Sequence, residues 1–266
     1  MGSIGFVPTM GALHEGHLSL VAESNKTCKN TVVSIYLNPT QFAQGEDLDS
    51  YPQKLQVDLN KLSEYEVDCV FTPNNSEMYP EGFKTNNYSN NLFTLLEGKS
   101  RPEFFKGVTT IVAKLFDIVE PTHTFFGEKD FQQLCIIKKM VKDLYYPIQV
   151  VPCPIIRKKN GLAMSSRNVY LTKSEHDIAA TINHALESGK NLLQLGERSS
   201  YLIKDKISKS IAAEKLFRVD YVSVADSITL AEISGFIEKD ILVSTAVFLG
   251  GTRLIDNFSY SISSSK

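Results

Sequence analysis

The chain has 266 residues, is 42% hydrophobic and carries a formal net charge of −2. That length suffices for one large or two ordinary domains with a real core, and the near-balanced charge leaves no basic footprint for nucleic acid. No apolar run reaches bilayer-spanning length, the start MGSIGF lacks the regions of a signal peptide, and Cys28, Cys69, Cys135 and Cys153 form no C-x-x-C pair, as expected of reduced thiols in a cytoplasmic protein.

In chain order, the apolar run Ile4–Val7 predicts a short buried strand broken by Pro8. Leu18, Leu20, Val21 and Ala22 follow with helical spacing. Thr31–Leu37 is β-branched and aromatic, hence a strand ended by Asn38-Pro39. Val57–Tyr65 reads as a helix and Asp68–Phe71 as a strand. Val108–Val119 is an amphipathic helix, with Val108, Ile111, Val112, Leu115 and Val119 on one face. Thr122–Phe126, Phe131–Leu144 and Ile148–Val151 then read as strand, helix and strand. This alternation predicts an α/β fold, a doubly wound Rossmann-like parallel sheet over residues 1–155. Thr172 and Glu175 form a capping box opening a helix to about Leu195. A further helix over Tyr201–Leu216 and strands at Val219–Val224, Ile241–Phe248 and Arg253–Phe258 predict a smaller C-terminal α+β domain over residues 156–266. The serine-rich tail Ser261–Ser265 is expected to fray.

Four segments carry chemistry. The string Gly5–His17, GFVPTMGALHEGH, sets His14 and His17 at a strand-to-helix corner. Backbone N–H groups and the positive end of the helix dipole favour an anion there, and Gly11 and Gly16 permit close backbone approach. The same histidines could be a surface accident or half of a metal site, although His123, His176 and His184 have no local ligand neighbours. Asn38-Pro-Thr-Gln41-Phe42 offers amides suited to hydroxyls and a carboxylate, or is an ordinary Asn-Pro turn. In Phe126–Gln133, Lys129 falls at the carboxyl edge of the sheet, where an ammonium meets phosphate as a point charge. Gln133 there either caps the helix or points outward to a substrate. Met164-Ser-Ser-Arg167-Asn168, after Lys158–Gly161, places hydroxyls and a guanidinium on a loop able to close over a triphosphate. Arg101, in Leu96–Pro102, is either part of a functional loop or only a salt-bridge partner of Glu97, and Glu46, Asp49 and Asp58 are mostly a solvated face.

The histidine string resembles the HIGH-type signature of the adenylyl-transferring superfamily that includes class I aminoacyl-tRNA synthetases. The fuller PTMGALHEGH, with N-P-x-Q-F, G-E-K-D-F-Q-Q and the Met164–Arg167 loop in that order, resembles the pantoate–β-alanine ligase family from Ile4 to about Asn257. The resemblance implies ATP contacts from Met10, Gly11, Ala12, Leu13, His14, Glu15, Gly16 and His17, and from Gly127, Glu128, Lys129 and Asp130. It adds the backbone of Ile156 at adenine, and Met164, Ser165, Ser166 and Arg167 at the phosphates. It implies that Gln41 touches pantoate near β-alanine, and it makes Asn38 and Gln133 substrate residues. His14, His17 and Lys129 become the catalytic groups, with the imidazoles neutralising developing charge and His17 donating a proton. The implied reaction joins pantoate to β-alanine at the expense of ATP, with Mg2+ whose protein ligand stays unassigned. The implied assembly is a cytoplasmic homodimer formed through the larger domain. Family members carry a segment ahead of the Ile4–Val7 strand that this sequence lacks, which bears on stability or dimer packing more than on chemistry. Another HIGH-motif adenylyltransferase of cofactor synthesis would share the histidines but need not have Gln41 and Gln133, and a nucleotide-sensing or interaction module that has lost turnover is the non-enzyme alternative.

Overall fold

The computed structural model describes residues 2–85, 88 and 90–262, so most of the serine-rich tail lies outside the described residues. The chain divides into two compact units, one of residues 1–94 and 98–156, the other of residues 95–97 and 157–266.

The first unit runs β1 (Ile4–Thr9), α1 (Glu15–Thr27), β2 (Asn30–Ile35), α2 (Leu55–Leu62) and β3 (Cys69–Phe71). Two single turns, α3 (Asn75–Met78) and α4 (Glu97–Ser100, whose first residue belongs to the second unit), precede α5 (Phe104–Val119), β4 (His123–Gly127), α6 (Phe131–Asp143) and β5 (Gln149–Cys153). The strands form one parallel sheet in the order β3-β2-β1-β4-β5. Alternate strand residues face opposite sides, and the two cores follow from that. Phe6 and Phe126 join α5 and α6 residues such as Ile111, Phe116 and Met140 on one face. Val7, Val33 and Phe125 join Leu20 and Val21 of α1 and Leu62 of α2 on the other.

The first strand does not stop at Pro8 as the sequence predicts; it continues to Thr9. The carbonyls of Ser3 and Thr9 bond toward β2, whereas that of Ile4 bonds toward Thr122 beside β4. Pro8 therefore turns its nitrogen to the β4 side, where pairing ends at Phe6. No ladder bond is lost, which is the condition under which a strand tolerates proline.

In the second unit α7 (Lys173–Gln194) starts from the predicted box, with Thr172 and Glu175 capping each other's backbone N–H groups. It and α8 (Ser200–Ala212) bury Ile182, Leu186, Ile203 and Ile207 against an antiparallel sheet of β6 (Phe217–Asp226), β7 (Ile241–Leu249) and β8 (Thr252–Tyr260). Leu95–Glu97 belongs to this unit because Arg253 binds the Glu97 carboxylate and also Asp220, at 2.6 Å, while the Tyr221 hydroxyl donates to Glu97 at 2.7 Å. The predicted Arg101–Glu97 pair is thus replaced.

Candidate active site

In the strand order β3-β2-β1-β4-β5 the chain reverses direction across the sheet between β1 and β4. Ligands of such sheets bind outside the carboxyl ends of the strands at that reversal. The segments after β1 and β4 hold His14, His17 and Lys129; Asn38 and Gln41 follow β2, and Ile156 follows β5. One edge of one sheet therefore collects four sequence-distant groups.

After β1 the chain turns through Gly11 at φ 82° and Ala12 at φ 51°. The left-handed pair allows consecutive amides to converge: Ala12 N–H donates to Asp58 Oδ2 at 2.9 Å and Leu13 N–H to Oδ1 at 2.8 Å. Asp58 is only 2% exposed, so it is not part of a solvated face. Lys61, one turn further along α2, donates to the Leu13 carbonyl. Two of the N–H groups expected to receive an external anion are thus already bound to an internal one. Leu13 also buries its side chain in the core, which leaves neither that side chain nor its N–H for a nucleotide. Met10, Ala12 and Gly16 are half-buried, and Glu15 is exposed.

His14 is the N-cap of α1, its Nδ1 accepting the Gly16 N–H at 3.1 Å. This acceptance leaves Nε2 as the protonated nitrogen of the neutral ring. Its ring stacks on that of His17 with centroids 4.1 Å apart and planes 27° apart, as one helical face requires. His17 Nδ1 is buried without a hydrogen-bond partner. Burial, then the Lys129 charge, lowers the His14 pKa to about 4. Burial, then His14 and Lys129, holds His17 well below the ordinary imidazole range. Both rings are therefore neutral at pH 7, and the positive charge expected of them resides on Lys129 and Lys61.

The same shifts fix a pH dependence of stability. Below about pH 6.5 the unfolded chain binds protons that the native rings refuse. Native stability therefore falls as pH drops from about 6.5, and His14 stops contributing to the slope below about 4. The slope is about 1.4 kcal/mol per pH unit for each proton bound only by the unfolded chain. Denaturant melts of wild type and His14→Gln between pH 4 and 7 are expected to show a shallower acid slope in the variant.

After β2, Asn38 is fully buried. Its Oδ1 accepts from Tyr79 Oη at 2.8 Å and from Thr40 Oγ1 at 3.0 Å, and its Nδ2 donates to Gln41 Oε1 at 2.8 Å and Gly107 O at 3.2 Å. With these bonds made, Asn38 has no group left for a substrate, in contrast to its expected role; it orients Gln41 so that the Gln41 Nε2 donors face away from it. Arg101 holds the same segment, donating to Gln41 O at 3.0 Å and to both Glu46 oxygens at 2.6 Å, with its guanidinium over the Phe104 ring. Arg101 and Glu46 are thus partners. A Cβ on Gly107 would stand 2.2 Å from the Thr40 carbonyl oxygen, so only glycine lets α5 approach this turn.

After β4, Glu128–Asp130 forms one 3-10 turn and α6 begins. A Cβ on Gly127 would meet no atom within 4 Å, so packing does not require glycine there. Glu128 is half-buried, Asp130 is exposed, and Lys129 Nζ lies 3.6 Å from Asp130. Lys129 is near enough to both imidazoles to lower their pKa values. Gln133 stands in the first turn of α6, which has no side-chain cap bond. The capping alternative therefore falls, and its amide remains for another partner.

In the second unit, Arg157 pairs with buried Asp256 at 2.6 Å and donates to Gly161 O at 3.1 Å, bracing the turn before the serine–arginine segment. Ser165 caps a 3-10 turn over Ser166–Tyr170 through Arg167 N–H, and Asn168 returns a bond to Ser165 N–H at 2.8 Å. Ser166 is buried, while Met164, Ser165 and Arg167 are half-buried. Among the described residues no group of three or more His, Cys, Asp and Glu could hold a metal ion.

Sheet order, histidine-capped helix and lysine turn together define a doubly wound α/β protein with a candidate site at the strand reversal. The chain belongs to the pantoate–β-alanine ligase family, whose model matches residues 1–259. It is 46% identical over 260 residues to a pantothenate synthetase of Clostridium botulinum, covering 98% of this chain and 92% of that relative. To one from Acetivibrio thermocellus it is 49% identical over 254 residues, covering 96% and 90%. The crystal structure of a Thermus thermophilus pantothenate synthetase superposes with a TM-score of 0.93 at 40% identity, over 96% of this chain and 92% of that one. A Francisella tularensis pantoate–β-alanine ligase solved with β,γ ATP and β-alanine gives 0.78 at 35% identity, over 97% and 89%.

Proposed function

We propose that the chain condenses (R)-pantoate with β-alanine, converting ATP to AMP and pyrophosphate. One observation carries the reading: neutral stacked imidazoles, Lys129 and the uncapped Gln133 all follow the two strands that flank the sheet reversal. A pantoate carboxylate oxygen attacks the α-phosphorus, a new P–O bond forms, and pyrophosphate leaves. The β-alanine amine then attacks the acyl carbon of the pantoyl adenylate, the C–O bond breaks, and AMP departs with that oxygen. No protein nucleophile is needed; alignment and charge stabilisation supply the catalysis.

His14 donates through Nε2 to phosphate oxygens, beside Lys129. A bound triphosphate opposes the lysine charges and raises both imidazole pKa values, so His17 becomes a proton donor only in the ATP complex. Met10–His17, apart from the Leu13 groups and the Ala12 N–H already bound, line the nucleotide with Gly127–Asp130 and the Ile156 backbone. Met164, Ser165, Ser166 and Arg167 are proposed to bind its phosphates. Gln41 and Gln133 hold pantoate. Mg2+ usually binds through phosphates, water and one or two carboxylates rather than an all-protein cage, so we assign the ion to the triphosphate and route no step through it. Cytoplasmic location and a homodimer rest on the family resemblance.

Steady-state pyrophosphate release that requires both pantoate and β-alanine tests the reaction; release with ATP alone would refute it. Gln133→Ala is expected to raise the pantoate KM severalfold with the ATP KM unmoved. A shift in the ATP KM alone would favour another HIGH-motif adenylyltransferase.

A further inference from the structure

Helix α2 lies outside every segment to which the nucleotide has been assigned, yet it makes the bonds that shape the signature loop. The Ala12 and Leu13 amides converge on one anion, a concavity of the kind that elsewhere receives phosphate. Here Asp58 fills it, with both carboxylate oxygens engaged within 2.9 Å. A Cβ on Gly11 would stand a tight 3.2 Å from Asp58 Oδ2, and the φ of 82° favours glycine there in any case. Lys61 holds the carbonyl of the residue whose N–H Asp58 holds. The left-handed Ala12, at φ 51°, is disfavoured for a residue with a Cβ, and the Asp58 bond offsets that cost.

We propose that Asp58, assisted by Lys61, is a positioning residue for the nucleotide: an internal anion that occupies the loop amides, keeps phosphate out of them and sets His14 and His17 for the triphosphate. The inference rests on the proposed function. Asp58 touches no reacting atom and acts through the loop.

The test is kinetic and spectroscopic, on the whole enzyme. In Asp58→Asn one amide N–H of the loop must face an NH2 donor. A kcat loss approaching ~10²-fold, typical of a small misplacement of reacting groups, is expected. The ATP KM should rise severalfold, the pantoate KM should hold, and the His14 Nδ1 signal in 15N spectra should shift as its bond to Gly16 loosens. Lys61→Met, which leaves both Asp58 bonds, is expected to raise the ATP KM less. If wild type releases pyrophosphate with both substrates but folded Asp58→Asn keeps wild-type kcat and ATP KM, this inference fails while the function stands. A raised Mg2+ requirement with unchanged ATP affinity at saturating Mg2+ would overturn it in favour of metal ligation. Should Asp58→Asn not fold, an unchanged ATP KM in Lys61→Met overturns it. If wild type itself shows no substrate-dependent release, the function is what fails.

Discussion

Replacing His17 by alanine is expected to yield a folded protein whose turnover is ~10²–10³-fold lower, the usual cost of one preorganised donor at a developing charge. The fold should tolerate the change. His17 sits in the first turn of α1, where alanine is a good helix former, and its ring stacks on that of His14. Its Nδ1 is buried without a partner, so removal breaks no side-chain hydrogen bond at that atom. The His14 cap survives because it depends on the Gly16 N–H. Loss of kcat with a retained thermal midpoint is the expected pattern. Near wild-type turnover would remove His17 from the chemistry.

Lys129→Met is expected to have an effect of similar size, and it reports twice. Turnover should fall on the order of 10²–10³-fold as the point charge on the phosphates is lost. The His14 pKa should also move. Lys129 is the second cause of its depression after burial, so removing the cation raises the value from about 4 toward, but not up to, the ordinary imidazole value. NMR titration of the His14 ring measures this without any substrate. Lys129→Arg keeps the charge and so should leave the ring low while still slowing turnover. An unmoved His14 in Lys129→Met would separate the two groups.

Much of the fold was readable because periodicity and caps speak locally. The α7 start came from Thr172 and Glu175, and the parallel sheet from alternating runs such as Thr31–Leu37 and Val108–Val119. Pro8 misled because a strand's tolerance of proline depends on which neighbour has run out, a fact of sheet order rather than of sequence. The candidate site is legible where strand ends mark its corners, which is how the positions of His14, His17, Lys129 and Gln133 emerge, while their roles remain the proposal. Asp58 is not legible, because its bonds reach 45 and 46 residues back along the chain. Glu97 is the near neighbour that sequence offers Arg101, whereas Glu46 and Arg253 take the two partners across long intervals. Asn38 shows a third limit: an amide suited to substrate can equally be consumed by Gln41, Tyr79 and Gly107, and only packing decides. The dipole argument at the corner was sound physics, but an internal carboxylate had already answered it.

The central claim is that a pantoate carboxylate oxygen becomes bonded to the α-phosphorus and leaves with AMP. Turnover of pantoate labelled with 18O in both carboxylate positions tests it directly by mass spectrometry of the products. One 18O atom in AMP, one in the amide carbonyl of pantothenate and none in pyrophosphate is the predicted outcome. Unlabelled AMP, or label in pyrophosphate, would contradict it.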